Sequence, residues 1–454
     1  MRGPGLINRA PALASRPCVR GGLLLLWEFF VMDKTKRLGL LLMALTILID
    51  FTGFGLILPM LAFWAQHLGA NAIGVGLMIT IYALAQFVFT PVLGTISDRY
   101  GRKPVICVSL LIEAVGLGLT ALAGSLPLLL IARFIGGLGA SNIGSAQAVV
   151  SDVTTAEERA KGMGLIGAAI GLGFVLGPIL GGALVLFGAT VPFWTAAVVA
   201  LVNALLVIIL LPETRNRIDV RQERERAVVV GKQKANFLFA GWRNAWRNPA
   251  VAQFVLVNLF YTIAFTAMEA VFPLFSQHTF KWGAIQNGYV FTYVGVIVVI
   301  MQGGLVGRLV KRWNEQKVMI TGVIMLAAGL LLLAFSSQLA WLLVSLGIVS
   351  AGDGAVSPTI STLLSFASPS DTQGETLGLA QGVGGLGRVI GPVAAGSIYA
   401  WGGPGAPFIA GGILVVLAAL IALPALFSVQ KPAEVCAVHE EGMGGKVHKS
   451  AKML

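Results

Sequence analysis

Charged residues are scarce in this chain, because Asp, Glu, Lys and Arg together make up only 11% of its 454 residues. An average soluble domain carries about 25%. Hydrophobic residues instead reach 56%, and the mean hydropathy is +0.85. These values exclude an ordinary soluble protein. The sequence also lacks a phosphate-binding loop of the G-x-x-x-x-G-K-[ST] type, so we expect that ATP does not drive this protein.

Metal ligands and disulfide partners are scarce too. The cysteines Cys18, Cys107 and Cys436 are scattered and odd in number, which argues against a disulfide or metal framework. The four histidines share no ligand spacing. We therefore expect neither a metal site nor a cofactor. A net charge of +12 does not require nucleic acid as a partner, because the placement of the basic loops accounts for it.

Long apolar runs occupy most of the chain. A helix needs about 20 apolar residues to cross a bilayer, and twelve such runs can be placed, six on each side of a polar segment at 213–250. They lie at 38–65, 72–95, 104–124, 127–150, 161–186, 190–212, 251–277, 285–307, 317–337, 339–366, 374–401 and 404–428. The pattern predicts an all-α polytopic membrane protein with twelve transmembrane helices in a lipid bilayer.

Basic residues orient these predicted helices. They cluster before the first run, after the second, fourth and eighth runs, in the segment at 213–250 and in the tail, whereas only Lys281 stands out on the opposite side. Cytoplasmic loops of membrane proteins are enriched in Lys and Arg. The distribution therefore predicts a multi-pass protein of the cytoplasmic membrane, with both termini and the middle segment in the cytoplasm.

The first 31 residues differ from the rest of the chain. They are basic and rich in proline and glycine, their short apolar run contains Glu28, and they lack an A-x-A cleavage site. We expect a disordered or mis-annotated extension, with translation starting at Met32. The predicted division is an extension at 1–31, a six-helix bundle at 32–212, a cytoplasmic linker at 213–250, a second six-helix bundle at 251–428 and a cytoplasmic tail at 429–454.

A duplicated segment relates the two predicted bundles. Residues 171–182 read GLGFVLGPILGG, and residues 385–396, which follow 214 positions later, read GLGRVIGPVAAG. Glycines four residues apart share one helix face and let a neighbouring helix approach closely, while proline favours a kink. In the first copy these residues are Gly173, Gly177, Pro178, Gly181 and Gly182. Internal duplication in a membrane protein is typical of transporters, so we predict two pseudo-symmetric bundles.

Six ionisable residues interrupt the apolar runs at positions that place them inside the membrane: Asp50, Glu113, Arg133, Glu269, Asp353 and Arg388. Each such charge costs about 2.5–3.5 kcal/mol on insertion scales, so its presence indicates a function. Burial raises the pKa of a carboxyl group and a neighbouring arginine lowers it. A carboxyl–arginine pair that moves apart and together can therefore bind and release protons. The alternative is that static buried pairs fix the register of the helices.

The loop after the second run reads G-T-I-S-D-R-Y-G-R-K at 94–103. Its Asp98 lies beside Arg99, Arg102 and Lys103, and a turn of this kind can form charge-assisted bonds to helix ends and to a facing helix. One alternative is an ordinary positive-inside loop. Another is a lipid-head-group enzyme that uses Asp98, although such an enzyme would need clustered acids or histidines.

The segments GTISDRYGRKPV, ARFIGGLGAS and GLGFVLGPILGG together resemble three signatures of the major facilitator superfamily, within its twelve-helix drug:proton antiporters. The first four runs are most similar to those of the tetracycline/proton antiporters. The resemblance covers residues 33 to 428. The chain departs from those pumps in span three, because their aspartate aligns with Gly116 here and Glu113 lies three residues earlier.

The resemblance implies roles for individual residues. Asp50 and Arg133 would couple transport to protons, and Gln86 would line the cavity. The cytoplasmic gate motif maps onto Gly94, Asp98, Arg99, Gly101, Arg102 and Lys103, and the antiporter helix motif onto Gly173, Gly177, Pro178, Gly181 and Gly182. Position inside the membrane adds Glu113, Glu269 and Asp353 as proton-coupling candidates. It also adds Glu269 and Arg388, with Asp50 and Arg133, as residues of the substrate cavity.

Residues and resemblance together predict a secondary transporter rather than an enzyme. We expect a monomer that exports small lipophilic or amphipathic compounds by alternating access of its two bundles. The proton gradient would be its energy source, and drug efflux and antibiotic resistance would follow. A symporter or facilitator for a sugar, an organic acid or another metabolite is the main alternative. A receptor that transports nothing is a further one.

Overall fold

Twelve helices follow one another in the computed structural model, which describes residues 34–154, 156–211, 213, 248–368 and 373–428. They are α1 Lys34–His67, α2 Ala72–Tyr100, α3 Arg102–Leu122, α4 Leu126–Val153, α5 Ala156–Leu184, α6 Val191–Leu210, α7 Pro249–Phe280, α8 Ala284–Trp313, α9 Glu315–Ala334, α10 Leu339–Ala367, α11 Gln373–Gly402 and α12 Ala406–Ser428. Every regular element in these ranges is helical, which confirms the predicted all-α fold. The predicted extension, the tail and most of the linker lie outside the described residues.

Eleven of the helices are long and apolar enough to cross a membrane by length and composition. The exception among the described helices is α11, which has 30 residues but is rich in glycine and contains Glu375 and Arg388. Two helices are not regular throughout. In α4 a 3-10 turn occupies Ala140–Asn142, and in α8 a π-helical turn occupies Met301–Leu305, where Gly304 has a φ of 157°.

Local sequence fixes where several helices begin. The Asn71 side chain accepts a hydrogen bond of 2.9 Å from the backbone N–H of Gly74 and so caps α2. Asn248 caps α7 in the same way. Proline follows in the first turn of α4, α6 and α7, where its missing N–H would have had no helical partner. These caps place the helix ends close to the ends of the apolar runs.

The helices form two groups with equivalent packing. In the N-half (α1–α6), α1 packs on α5, and α3 packs on α4 and α6. In the C-half (α7–α12), α7 packs on α11 and α12, and α9 packs on α10 and α12. Each half contains a large apolar core, with Phe193 fully buried in the N-half and Phe254 in the C-half. The cores also cross between the halves, because Leu58 joins the C-half core and Leu274 joins the N-half core. The halves meet along two seams, where α2 contacts α11 and α5 contacts α8.

The duplicated segment performs the same packing in both halves. A Cβ atom added at Gly177 of α5 would lie 2.6 Å from the backbone oxygen of Thr52 in α1. Its repeat equivalent Gly391 in α11 lies so close to α7 that a Cβ there would overlap the Thr266 hydroxyl. Glycine is needed at both positions because only hydrogen fits between the helices. The predicted close approach of a neighbouring helix is therefore present twice.

The two seams are tight at one end of the molecule, which we call the closed end. A Cβ at Gly288 of α8 would lie 2.6 Å from the backbone oxygen of Pro178 in α5. On the other seam, a Cβ at Gly76 of α2 would overlap the backbone oxygen of Pro392 in α11. Pro178 and Pro392 are equivalent residues of the repeat. The same glycine–proline contact therefore closes both seams.

The same seams are apart at the other end, which we call the open end. Gly171 of α5 still touches α8, and Gly385 of α11 still touches α2. Gly164 and Gly378 lie seven residues earlier, on nearly the same helix faces. A Cβ at either of them would meet open space among the described residues. The two halves therefore enclose a central cavity that opens at this end.

Candidate transport site

Asp50 lies in α1, half-buried, and is held by amide groups from two other helices. The side-chain nitrogen of Asn142 in α4 donates to Asp50 Oδ2 at 3.0 Å, and that of Asn203 in α6 donates to Oδ1 at 3.4 Å. The Thr46 hydroxyl in turn donates to the Asn203 side-chain oxygen at 3.2 Å. Neutral donors, rather than an arginine, thus orient this carboxyl group.

Arg133 in α4 is buried and stacks on an aromatic ring. Its Cζ lies 4.2 Å from the centre of the Tyr82 ring, an arrangement that stabilises a guanidinium through the negative face of the ring. Among the described residues, no ion pair within 4.0 Å joins Arg133 to Asp50 or Glu113, and its Nε has no hydrogen-bond partner. The contact that Arg133 makes is therefore with the Tyr82 ring, and not with a carboxylate as the sequence analysis expected.

Glu113 in α3 is a charged residue in the same cavity as Arg133. The carboxyl is buried, its Oε2 has no hydrogen-bond partner, and it interacts electrostatically with both Asp50 and Arg133. Glu113 and Arg133 line one cavity of the N-half, together with Gly53, Phe54, Ile57, Leu58, Leu61, Ile79, Tyr82, Leu117 and Gly136. Buried polar groups are usually paired, so the unpaired atoms of these two residues make this cavity the candidate site in the N-half.

The glycines of the ARFIGGLGAS segment bring these groups together. A Cβ at Gly139 of α4 would overlap the backbone nitrogen of Glu113, and one at Gly137 would overlap the backbone oxygen of Tyr82. A Cβ at Gly116 would lie 2.5 Å from the backbone nitrogen of Gly136. Because these positions carry no side chain, α2 and α3 approach α4 closely. Tyr82, Glu113 and Arg133 consequently share one cavity.

Gln86 follows Tyr82 by one turn of α2 and is half-buried. Its side-chain nitrogen donates to the backbone oxygen of Ala140 at 3.1 Å. Ala140 begins the 3-10 turn of α4 that also contains Asn142. Gln86 therefore supports the turn that presents Asn142 to Asp50, in addition to the cavity-lining position that the resemblance implies.

The C-half contains a second group of ionisable residues. The Tyr261 hydroxyl donates to Asp353 Oδ1 at 2.7 Å, and Asp353 is buried inside α10. Glu269 of α7 is half-buried and interacts electrostatically with Asp353 and with Arg388. The Arg388 side chain is exposed. The six predicted intramembrane charges thus form two clusters, one in each half, rather than one chain of charges.

The predicted loop at 94–103 is wrong, because residues 94–100 form the end of α2, Arg102 begins α3, and only Gly101 lies between the helices. Arg102, which is buried, organises this segment. Its Nη1 lies 2.6 Å from Asp98 Oδ1 and its Nε lies 3.1 Å from Asp152 Oδ2 at the end of α4. Its backbone nitrogen donates to Glu213 Oε1 at 2.9 Å. Gly101 has a φ of 106°, and a Cβ there would lie 2.5 Å from Glu213 Oε2. Arg102 therefore joins the open-end termini of α2, α3, α4 and α6.

The remaining residues of both motifs lie at the surface, at one seam or inside the N-half. Arg99 is exposed, Lys103 is half-buried, and Gly94 faces open space. In α5, Gly173 and Gly181 pack against α1 as Gly177 does. Gly182 instead faces α8, where a Cβ would lie 3.3 Å from a backbone oxygen, and Pro178 contacts the same helix. The antiporter helix motif thus serves both the core of the N-half and one seam.

Four residues of the two clusters were not among the predicted site residues. Tyr82 and Tyr261 contact an arginine and an aspartate, respectively, and Asn142 and Asn203 bond to Asp50. Asn203 could have been found, because it is an amide in the middle of the apolar run at 190–212 and a polar residue inside the membrane needs a partner. The tyrosines carry no such signal, because aromatic residues are common in apolar runs.

A model of the Major Facilitator Superfamily matches residues 43–317 and 303–448 of the chain. The chain belongs to the major facilitator superfamily. This membership confirms the resemblance on which the sequence analysis relied. It also makes the protein a multi-pass membrane transporter rather than an enzyme. The two seams of glycine and proline are therefore the contacts between the halves of a major facilitator transporter.

Several proteins of the family resemble this chain over most of its length. The class B tetracycline resistance protein of Escherichia coli is 31% identical over 363 residues, which cover 78% of this chain and 86% of that protein. Multidrug resistance protein 2 of Bacillus subtilis (strain 168) is 28% identical over 374 residues, which cover 81% of this chain and 90% of that protein. Both are named as resistance proteins, which agrees with the antiporter group that the motifs indicated.

Two crystal structures show the same architecture. The human organic anion transporter MFSD10 (TETRAN) is 25% identical, with a TM-score of 0.64 over 86% of this chain and 100% of that chain. A bacterial homologue of the human lysosomal transporter Spinster, in an inward-facing and occupied conformation, gives a TM-score of 0.73 over 88% of this chain and 100% of that chain. Its identity is 14%, so it supports the fold alone.

Proposed function

We propose that this transporter exports small lipophilic or amphipathic compounds in exchange for protons that flow inward. The observation that carries the proposal is the N-half cluster, where Glu113 and Arg133 line one cavity with unpaired polar atoms beside Asp50. A carboxyl group in such a place can hold a proton or be ionised. The related tetracycline and multidrug resistance proteins support drug-like substrates.

The geometry suggests how proton binding and helix movement are linked. When a proton leaves Asp50 or Glu113, the attraction between that carboxylate and the Arg133 guanidinium increases. These residues lie in α1, α3 and α4, so a change in their attraction alters the packing of three helices of the N-half. Gly137 and Gly139 of α4 make that packing tight, so small shifts are passed on to the whole half.

Aromatic side chains between α1 and α5 support a lipophilic substrate. The Phe174 ring lies 5.4 Å from that of Phe51 and 6.0 Å from that of Phe54, centre to centre, and Phe54 lies 5.9 Å from Tyr82. Phe54 also packs against the core of the C-half. A row of rings next to the Arg133 cavity offers a large apolar surface with adaptable contacts.

The positive-inside distribution assigns a side to each end of the cavity. The basic residues of the 94–103 segment lie at the open end, as do Lys311, Arg312 and Lys317. Such basic clusters face the cytoplasm. We therefore propose that the structure is the inward-open state, ready to load substrate from the cytoplasm. The cytoplasmic membrane is the proposed location, and a single chain is the proposed transport unit.

Everted membrane vesicles with a panel of dyes and antibiotics test the proposed function. Addition of a transported compound to energised vesicles should collapse part of the pH gradient, and the compound should accumulate in the lumen. The rival reading, a proton symporter for a metabolite, predicts that expression rescues growth on a limiting nutrient and gives no resistance. If no exported compound causes proton movement, export is not coupled to protons and this part of the proposal is wrong.

We predict that Asp98→Ala shifts the population toward the inward-open state. Asp98 lies eleven residues after Phe87, about 20° away around α2, and Phe87 touches Gly385 of α11. Asp98 would therefore approach the N-terminus of α11 when the open end closes. A carboxylate at a helix N-terminus is worth about 0.3–1 kcal/mol. A cysteine placed at Gly164 should become alkylated about two- to fivefold faster.

Asp152→Ala is the matched control for this variant. Asp152 bonds to Arg102 as Asp98 does, but it belongs to α4 and not to the seam. Loss of either carboxylate weakens the Arg102 network, whereas loss of Asp98 also removes a contact of the closed cytoplasmic end. Equal labelling rates in both variants would show that Asp98 acts within the N-half alone.

A further inference from the structure

Arg388 points into the central cavity, as the contacts of its helix show. Gly384, Gly387 and Gly391 of α11 face α7, whereas Gly385 and Val389 face α2, where Val389 accepts a 2.8 Å bond from Thr80. Arg388 lies on the narrow arc of the helix between these two faces. Because α7 and α2 flank α11 on either side, this arc borders the space between the halves. The exposure of the Arg388 side chain is exposure to the cavity.

The guanidinium of Arg388 is not neutralised by a direct partner. Asp353 already accepts a bond from the Tyr261 hydroxyl, and no ion pair within 4.0 Å joins Arg388 to Glu269 or Asp353 among the described residues. A permanent charge inside a membrane protein is costly. Its five N–H groups form a fork that fits a carboxylate in a bidentate manner. The site is therefore suited to an anionic group that belongs to a ligand and not to the protein.

The wall of the cavity opposite Arg388 is aromatic instead of charged. Phe174 occupies the position in α5 that Arg388 occupies in α11, between the faces that contact α1 and α8. Its ring contacts those of Phe51 and Phe54. One half therefore presents a guanidinium at this level and the other half presents aromatic rings. Gln381, which is exposed and lies seven residues before Arg388 on nearly the same face, adds an amide on the charged wall.

We propose that Arg388 binds the carboxylate of the transported compound, while Phe174, Phe51 and Phe54 hold its flat apolar part. The inference rests on the proposed export function and narrows its substrates to aromatic carboxylates. A neutral molecule of the same shape would leave the guanidinium desolvated and unpaired, which costs more than the lost bond itself. Arg388 thus selects for a negative charge on the substrate, and its repeat equivalent Phe174 selects for an aromatic ring.

Binding of matched acid and amide ligands to the purified full-length transporter tests this proposal. We choose 1-naphthoate and 1-naphthamide, which share ring and shape and differ in charge, and titration calorimetry as the readout. The wild type should bind the acid at least about tenfold more tightly than the amide, a difference of about 1.4 kcal/mol. Arg388→Gln should bring this ratio close to one, and Arg388→Lys should keep part of it.

Phe174→Ala is the companion variant, and it should weaken both ligands by a similar factor while the acid-to-amide ratio stays. The ratio is measured within each variant, so it does not depend on the amount of folded protein. An equal or higher affinity for the amide, an unchanged ratio in Arg388→Gln, or no binding of naphthoate at about 1 mM would overturn the proposal.

Vesicle transport separates failure of this proposal from failure of the proposed function. Proton-coupled export of a neutral or cationic dye without preference for naphthoate would retain the exporter and reject the role of Arg388. Binding of naphthoate that depends on Arg388, without proton-driven movement of any compound, would retain the anion site and reject the exporter. Export of naphthoate by the wild type that Arg388→Gln abolishes, with normal membrane abundance of the variant, is the result that we expect.

Discussion

Asp50→Asn is expected to abolish proton-driven export and to leave the folded transporter in the membrane. The carboxyl binds and releases a proton, whereas the amide of equal size does not. An asparagine can still accept a bond from Asn142 or Asn203, which hold Asp50 at 3.0 and 3.4 Å. The accumulation ratio in energised vesicles should therefore fall to about one, because the gradient no longer performs work on the substrate.

Downhill movement of substrate is the control within the same variant. Exchange of labelled for unlabelled substrate requires the two states of the transporter but no proton, so it should persist in Asp50→Asn. Glu113→Gln provides the comparison inside the Arg133 cavity. Gradient-driven accumulation at the wild-type rate in Asp50→Asn would remove Asp50 from the coupling mechanism and leave Glu113 as the remaining candidate in the N-half.

The double variant Gly76→Ala with Gly288→Ala is expected to open the closed end. Each added Cβ would meet a proline backbone oxygen across a seam. A backbone atom cannot move away by rotating about a side-chain bond, so the helices themselves must shift. Overpacking of this kind costs about 1–3 kcal/mol at a site. The cost applies to the inward-open state alone, so the population should move toward the outward-open state. Even about 1 kcal/mol at each of the two sites shifts the equilibrium by about 30-fold, so a cysteine placed at Ala284, which is buried at the closed end, should be alkylated at least about 30-fold faster.

Gly118→Ala is the matched control for the double variant. A Cβ at Gly118 would lie 3.7 Å from the Trp194 ring, which is ordinary van der Waals contact within the N-half. The same glycine-to-alanine change there should leave both labelling and transport unchanged. If the double variant is also labelled at the wild-type rate, with normal membrane abundance, the seams are not the contacts that keep this end closed.

The repeat and the apolar runs were enough to predict the fold. Both follow from local rules, since a bilayer fixes the length of each helix and the repeat carries glycine and proline in register. Eleven of the twelve predicted spans are long and apolar enough to cross a membrane. The exception is α11, because its glycines and charged residues make it less apolar than the other eleven helices. The glycines of this helix pack closely against α7 and α2, so low apolarity is compatible with its position between the halves.

The candidate site was only partly predictable, because its pairings join residues far apart in the chain. Charges inside apolar runs identified Asp50, Glu113 and Arg133 as candidates. The sequence could not indicate that Asn203, 153 positions after Asp50, holds its carboxyl group. In the 94–103 segment, the sequence analysis gave Asp98 the main role, whereas in the structure Arg102 makes the bonds to Asp152 and Glu213. Partners of this kind depend on helix packing, which local patterns do not encode.

The charge of Arg388, which no ion pair within 4.0 Å neutralises among the described residues, has an electrical consequence. If the substrate is an anion, its outward movement shifts charge across the membrane in the same direction as the inward movement of a proton. Each elementary charge yields about 2.3 kcal/mol per 100 mV, so a one-for-one exchange would gain about 4.6 kcal/mol from the voltage alone. Export would then continue in vesicles whose pH gradient is dissipated but whose membrane potential is kept, and a potassium diffusion potential would set its rate.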